Sequence, residues 1–450
     1  MTRTRTASAW LVAVVALAYA NAFDGAFQFD DFNVIVDNPA VHSWSAWWAS
    51  MPGLRPLLKA SYVLSWRMDL GAAGFHLFNL AVHAGNTLLV FALLRRWLAD
   101  LAPGVDAVRG AFVAALLFAL HPAQTEAVTY VCGRSTGLMA LGYLGSIYAW
   151  ERGREGAAAG AWGVASVALF VAAMLVKEIA WTLPLALTLV AAARGGRWRA
   201  AFAAALPQFA ALALAAVAIL GFEPYRRLLA TSFATRAPLA NLAAQGEGVW
   251  YLISRPLFAL RINIDPDLVA PDASGPAQLA AACVLGALLA AGFVALRRRP
   301  VAGFALLWFL LQLAPTNSLL ARLDLANDRQ LYLALIGPAL AVGVAVAGLR
   351  APRAATAITC ALALLLFAAT VVRNTDYRSG VALWEATVRA SPGKARAWNN
   401  LGYACQQAGD DARAAASYET ALGIDPEFHK ARVNLARLRG GEGARPLPAR

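Results

Sequence analysis

The chain has 450 residues, 60% of them hydrophobic and only 14% charged. A soluble globular protein carries about 25% charged residues, so the composition excludes one and calls for a chain that lives in lipid. The net charge of +13 does not mark a nucleic-acid partner, because the basic residues fall in short clusters and form no stripe along one folded face.

Charge-free runs at 8–22, 161–176, 200–221, 277–296 and 354–372 each approach the ~20 residues that cross a bilayer. Between alternate spans lie Arg3/Arg5, Arg95-Arg96, Arg152/Arg154, Arg194/Arg197/Arg199, Arg297-Arg298-Arg299 and Arg350/Arg353. The positive-inside rule makes these turns cytoplasmic and gives about eleven transmembrane helices. The first covers 7–23. Its basic start and the Ala18-Tyr19-Ala20 run have the outline of a signal peptide, but an uncleaved helix is expected, because the motif that follows has to be held at the membrane surface.

A long outer loop, 23–74, follows. It holds Asp30-Asp31 and the tryptophans Trp44, Trp47 and Trp48, which favour the membrane interface. Spans near 75–94, 108–120 and 137–150 come next, then one ending outside at Lys177-Glu178 and one returning to Arg194. The seventh ends near Gly221. The outer segment 222–276 contains an apolar stretch at 249–260, broken by Arg255-Pro256. It is read as interfacial or re-entrant, since a full span would put Arg297–Arg299 outside. Two spans flank that arginine cluster, the tenth follows an outer loop at 315–329, and the eleventh ends near Val372. The four cysteines Cys132, Cys283, Cys360 and Cys405 form no CxxC pair, so neither a disulfide framework nor a zinc site is expected.

From Arg373 the chain turns polar. Trp398-x-x-Leu401-Gly402, then Ala414-x-x-x-Tyr418, Ala421 and Pro426, fit the 34-residue tetratricopeptide pattern, with Cys405 at the usual Tyr position. One period back stand Trp384 and Pro392; one period forward stand Leu435-Ala436. One full repeat flanked by half-repeats is too short for an independent solenoid, so the unit is expected to lean on the membrane domain or a partner.

Parity brings four polar groups to one outer face: Asp30-Asp31; His121-Pro122-x-x-x-Glu126 with Arg134; Lys177-Glu178; and Asp324, Asp328 and Arg329. Carboxylates beside cations at a bilayer surface suit a lipid-phosphate substrate. Arg or Lys would hold the phosphate, and a carboxylate would take the proton of an attacking hydroxyl. The Asp30-Asp31 pair could also hold Mg²⁺ or Mn²⁺ through oxygen ligands, whereas an arginine-rich phosphate site works without metal. His76 and His83 are read as packing or hydrogen-bonding residues, and Asp265-Pro266-Asp267 as a turn.

Phe29-Asp30-Asp31-Phe32 with Ile35 and Asn38, then Arg55-Pro56-Leu57, Phe75-His76-x-x-Asn79 with His83, His121-Pro122-x-x-Thr125-Glu126-Ala127-Val128 through Gly133-Arg134, Lys177-Glu178 and Asp328-Arg329-x-Leu331-Tyr332 resemble, in order, the motifs of the transmembrane and tetratricopeptide-repeat-containing (TMTC) protein O-mannosyltransferases. The segment 236–265 resembles that family's middle domain. The chain carries far fewer repeats than animal members, and its Ala-rich, Arg-over-Lys composition points to a bacterial chain.

The resemblance implies an all-α GT-C-type membrane domain over 1–372, a repeat domain over 373–440 and a disordered tail at 441–450. It implies transfer of a sugar, with mannose a candidate, from a polyprenyl-phosphate donor to a protein Ser/Thr hydroxyl, inverting the anomeric centre. Carried over residue by residue, Asp30, Asp31 and Glu126 are catalytic. Arg55, His121, Arg134, Lys177, Glu178, Arg329 and Tyr332 line the substrate site, Arg134 and Arg329 being candidates for the lipid phosphate. The expected setting is a bacterial inner membrane, with the N-terminus cytoplasmic and the repeats periplasmic, surrounded by membrane lipid and with an acceptor protein reached through the repeats. A membrane-anchored scaffold and a ligase acting on lipid-linked glycans are the competing readings.

Overall fold

The structure, a computed structural model, describes residues 2–155, 158–256, 262–268, 275–318, 321–322 and 324–440. Among these every regular element is helical, and the chain is a multi-pass membrane protein. Five helices are long and apolar enough to span: Thr2–Asp24, Ala72–Leu101, Ala159–Val176, Leu279–Arg298 and Pro352–Arg378. Three bent pairs raise the number to eight. Glu178–Ala193 and Pro300–Leu313 are shorter apolar helices, and with Arg134–Arg152 they occupy the other three positions expected from the sequence.

Local chemistry sets the ends. Pro opens the helices at Pro238, Pro300 and Pro352, where its missing N–H costs nothing. Asp106 caps Ala107–Leu120 by accepting the N–H groups of Val108 and Arg109. Small residues let helices touch: a Cβ on Gly343 would lie 2.4 Å from the Gly110 carbonyl oxygen, so 107–120 and 336–347 cross backbone to backbone. Trp97, Phe304 and Trp308 pack edge and tilted at 5.3–5.7 Å and fill the bundle interior.

The arginine-rich turns gather at one end. There Arg96 and Arg194 pair with Glu151, and Arg194 also reaches Asp100. The loops carrying the polar motifs meet at the other. Two of the bent pairs shape that end. Ala107–Leu120 breaks by 53° into Pro122–Val128, and Asp328–Ala334 breaks by 52° into Ile336–Ala347. Broken helices at this depth are tolerated where they line a polar cavity or are buried in protein.

Pro238–Ser254 is a helix that is not among the candidate spans; the remainder of the 249–260 stretch, from 257, lies outside the described residues. So does the tail at 441–450. Trp44–Ala49 forms a short helix with Trp44 and Trp48 exposed. Helices Gly380–Ala390, Ala395–Gln407, Asp411–Ile424 and His429–Arg439 build the repeat unit. It does lean on the membrane domain: buried Asp265 takes a hydrogen bond from Arg396 Nε at 2.8 Å and pairs with Lys394, while Asn263 Nδ2 donates to Ser391.

Candidate active site at the broken helix ends

The two adjacent aspartates face different ways. Phe29 sits in the left-handed region at φ 47° and turns the chain just before Asp30. Asp31 is 1% exposed. Its Oδ2 accepts the Gln28 N–H at 2.9 Å and its Oδ1 the Cys132 N–H at 2.8 Å. Burial pushes its carboxyl up to about 7, against the Cys132 thiol and those two N–H groups and with a small addition from Asp30. Asp31 therefore ties the loop to the turn at Val131–Gly133. Asp30 is half-buried; its backbone N–H donates to Tyr130 Oη at 3.2 Å, and its carboxylate acts electrostatically on Arg329.

Glu126 lies on the short leg of one broken helix and Arg329 on the short leg of the other. Glu126 Oε2 accepts the Arg329 N–H at 2.9 Å, and Oε1 stands 3.5 Å from Arg329 Nε. Gly133 allows this turn to close, since a Cβ there would lie 2.0 Å from the Glu126 carbonyl oxygen. Beside them Arg55, left-handed at φ 52°, forks onto Glu178, its Nε donating to Oε2 at 3.0 Å.

Lys177 is 6% exposed and gives a hydrogen bond to Thr136 Oγ1 at 2.8 Å. Burial, and then Arg329, Arg55 and Arg322, hold its amine well below the usual lysine range. Burial and the same cations lower the Arg322 guanidinium to about 10. Among the described residues neither Lys177 nor Arg322 makes an ion pair with a carboxylate. Both face a narrow cavity that Thr136, Asn327, Arg329 and the Tyr332 side chain also line. Asn327 Oδ1 and the Gln330 amide are buried there without hydrogen-bond partners. Crowded cations and unpaired polar atoms are what an anion-binding cavity presents when empty.

The fold thus brings Asp30, Glu126, Arg55, Lys177, Glu178 and Arg329 together, with Tyr332 at the wall of the cavity, and it engages Asp31, Arg134 and His121 in contacts of their own. Arg134 is 1% exposed and lies over the rings of Tyr62, Phe75 and Phe78 at 4.3–5.1 Å. It donates to Asn79 Oδ1, the Ser61 carbonyl and the Phe75 carbonyl at 2.7, 2.7 and 3.0 Å. Its guanidinium is consumed inside the protein and does not reach a phosphate in the cavity. His121 caps its own turn, Nδ1 accepting the Ala123 N–H at 3.2 Å. The Tyr332 hydroxyl is engaged by His83 Nδ1 at 2.7 Å and Asn86 Nδ2 at 2.9 Å, so only its ring side is turned to the cavity. His76 Nε2 meets the Gly25 carbonyl at 3.2 Å. Arg322 and Tyr130 join the site without having been expected. Arg322 is a lone cation in a loop, a pattern with no signature.

Among the described residues no group of three or more His, Cys, Asp or Glu is disposed to hold a metal. Both Asp31 oxygens accept backbone N–H groups, which leaves each with one further lone pair.

A tetratricopeptide repeat family model matches residues 365–427, beginning within the last span. Curated relatives share similar sequence over part of the chain. Human "Protein O-mannosyl-transferase TMTC4" is 33% identical over 37% of this chain and 26% of its own. Mouse "Protein O-mannosyl-transferase TMTC3" is 30% identical over 37% of this chain and 19% of its own. Drosophila melanogaster "Protein O-mannosyl-transferase Tmtc1" is 29% identical over 38% and 21%. The matched stretch thus spans about a fifth to a quarter of these relatives' length. No solved structure gives a significant match. With its apolar spans and its tetratricopeptide repeat, the chain is similar to the TMTC proteins over this shared stretch.

Proposed function

We propose that the protein is a GT-C-type membrane glycosyltransferase, moving a sugar, mannose by the relatives' names, from a polyprenyl-phosphate donor to a protein Ser/Thr hydroxyl on the extracytoplasmic face. The observation that carries this reading is the cation cluster of Lys177, Arg322 and Arg329, with the Asp30 carboxylate acting electrostatically on Arg329. The cations would hold the phosphate that links lipid and sugar. The acceptor oxygen attacks the anomeric carbon while its proton passes to the Asp30 carboxylate. The bond from that carbon to the phosphate oxygen breaks, and the electron pair leaves with the lipid phosphate. The cations are already in place to receive that charge. Attack from the face opposite the phosphate inverts the centre. Glu126 holds Arg329 and so keeps the two broken helix legs in register; Asp31 holds the loop that carries Asp30. The arginine-rich turns support a cytoplasmic opposite end.

The test is transfer of labelled mannose from polyprenyl-phosphate mannose to a Ser/Thr-rich peptide by the purified protein. Asp30→Asn should lower kcat by 10² to 10⁴, the range for loss of a general base, with size-exclusion profile and melting unchanged. Wild-type turnover in that variant would overturn the mechanism, whereas a wild type silent with every donor would favour a non-catalytic scaffold.

A further inference from the structure

A second cleft, of about 750 Å³, opens on the other side of the Asp328-Arg329 pair. Arg329 points into the cation cavity. Asp328 faces this cleft's wall, accepting the Tyr251 hydroxyl at 3.2 Å and the Asn263 N–H at 2.7 Å. One side of the cleft is a helical stripe, Leu365, Ala368, Ala369 and Val372, spaced i, i+3, i+4, i+7 on the last span. Leu365 and Val372 are 55% and 68% exposed, so the stripe faces the lipid. The opposite side comes from the repeat domain, at Arg389 and Ser391.

At the head of the stripe stands Arg373. Its side chain is 8% exposed. Nη1 donates to Asp376 Oδ2 at 2.7 Å, but Nε and Nη2 are buried without hydrogen-bond partners. Arg255, over the Tyr251 ring at 3.9 Å, and Arg389 add positive charge to the same rim, so that three arginines face two carboxylates, Asp267 and the Asp376 that pairs with Arg373. A buried guanidinium with two unused donors costs free energy unless something accepts from it. An apolar ramp into the bilayer below a basic head is the form of a lipid-headgroup site.

We propose that this cleft takes the phosphate headgroup of an anionic glycerophospholipid from the surrounding bilayer. The phosphate accepts from Arg373 and Arg255, the first carbons of an acyl chain lie along the 365–372 stripe, and Arg389 closes over the headgroup. Because membrane span and first repeat helix both line it, the bound lipid staples the repeat domain to the bundle. The occupant arrives sideways from the leaflet, since the apolar wall is the lipid-exposed one. The site does not depend on the transferase reading.

The test is native mass spectrometry of the detergent-purified full chain titrated with phosphatidylglycerol, phosphatidylcholine or polyisoprenyl phosphate. The wild type should retain phosphatidylglycerol over phosphatidylcholine by about tenfold or more, and Arg373→Gln should lose that preference, as expected for a charge-assisted hydrogen bond. Millimolar inorganic phosphate should not displace the lipid. Ala368→Trp fills the apolar wall without touching a charge and should also remove retention; it keeps the test valid if Arg373→Gln misfolds. Equal retention by both variants overturns the proposal. So does retention of polyisoprenyl phosphate alone, lost in Arg373→Gln, which would make this cleft the donor site. Displacement by free phosphate alone overturns the lipid ramp.

Discussion

Replacing Asp31 by Asn separates the two aspartates by stability, whatever the chemistry turns out to be. The Asp31 carboxyl titrates near 3.8 when unfolded and is pushed up to about 7 by burial in the fold. A raised folded value means that its contribution to stability is complete below the unfolded value and is lost as pH rises through 7. Each pH unit of separation is worth 1.36 kcal/mol, so ionising this carboxyl inside the protein costs about 4 kcal/mol between pH 4 and pH 8. Asparagine never ionises and escapes that loss. Its amide can accept only one of the two N–H groups, from Gln28 and Cys132, that Asp31 accepts; the other is left facing an NH₂, at about 1–3 kcal/mol. Asp31→Asn is therefore expected to be less stable than wild type by about 1–3 kcal/mol near pH 4–5, and equal or more stable at pH 8. Thermal unfolding in nanodiscs at the two pH values measures this. A variant destabilised equally at both would refute the buried, inward-facing carboxyl and return the catalytic proton to an open choice between the two aspartates.

Other expectations follow from the same site. Lys177→Met should raise KM for the lipid-phosphate donor about tenfold, the loss of one charge-assisted contact, with little change in melting. Because burial and three arginines lower the Lys177 amine, donor binding by wild type should weaken as pH rises through that lowered value; Lys177→Arg, charged throughout, should flatten this limb of the kcat/KM profile. Arg134→Ala should cost about 3 kcal/mol in unfolding, because it empties the space among three rings and takes the donor from buried Asn79 Oδ1, with KM of the folded fraction unchanged; a raised KM at unchanged melting would put its guanidinium on the donor. Asp265→Ala takes the buried carboxylate from Lys394 and leaves Arg396 only its pair with Asp324; it is expected to loosen the repeat unit by about 1–3 kcal/mol, seen as faster protease cleavage between 373 and 380 with the membrane bundle intact.

The eleven-helix order, the end at which the polar motifs meet and the repeat offsets are all legible in the residues. Period, charge alternation and the 34-residue spacing are local patterns, and lipid leaves few alternatives to helices. What the pattern does not carry is direction. Asp30 and Asp31 are chemically identical neighbours, and only the left-handed Phe29 and the two N–H donors across the turn decide which one points inward. Arg134 reads as a phosphate ligand because the resemblance carries that role to it. Its fate is decided by three rings and three acceptors drawn from helices 56–66 and 72–101. Arg322 has the opposite history: unremarkable in its loop, it becomes part of the site only because Lys177 and Arg329 arrive from distant spans. The breaks at His121-Pro122 and after Ala334 are similar. Proline signals both: Pro122 stands in the first, and Pro338, with no N–H for the Ala334 carbonyl four residues back, accounts for the second.

The repeat unit is better understood as support for the Asp30 loop than as an appendage. Phe29 carries a side chain in left-handed backbone, which costs about 1–2 kcal/mol. Two contacts from the C-terminal part of the chain hold it there. The Phe29 ring meets Trp384 edge-on at 5.3 Å, a pairing worth about 0.5–1.5 kcal/mol beyond its buried area. The neighbouring Gln28 side chain donates to the Tyr377 carbonyl. The strain and the contacts that offset it are of the same size, so the loop geometry that aims Asp30 depends on the first repeat helix being docked. Asp265, the Arg396 fork and the Lys394 pair do that docking from the far side. Trp384→Ala removes the ring that meets Phe29 and is expected to loosen the Asp30 loop, seen as faster amide hydrogen exchange over residues 28–32 with the membrane bundle unchanged.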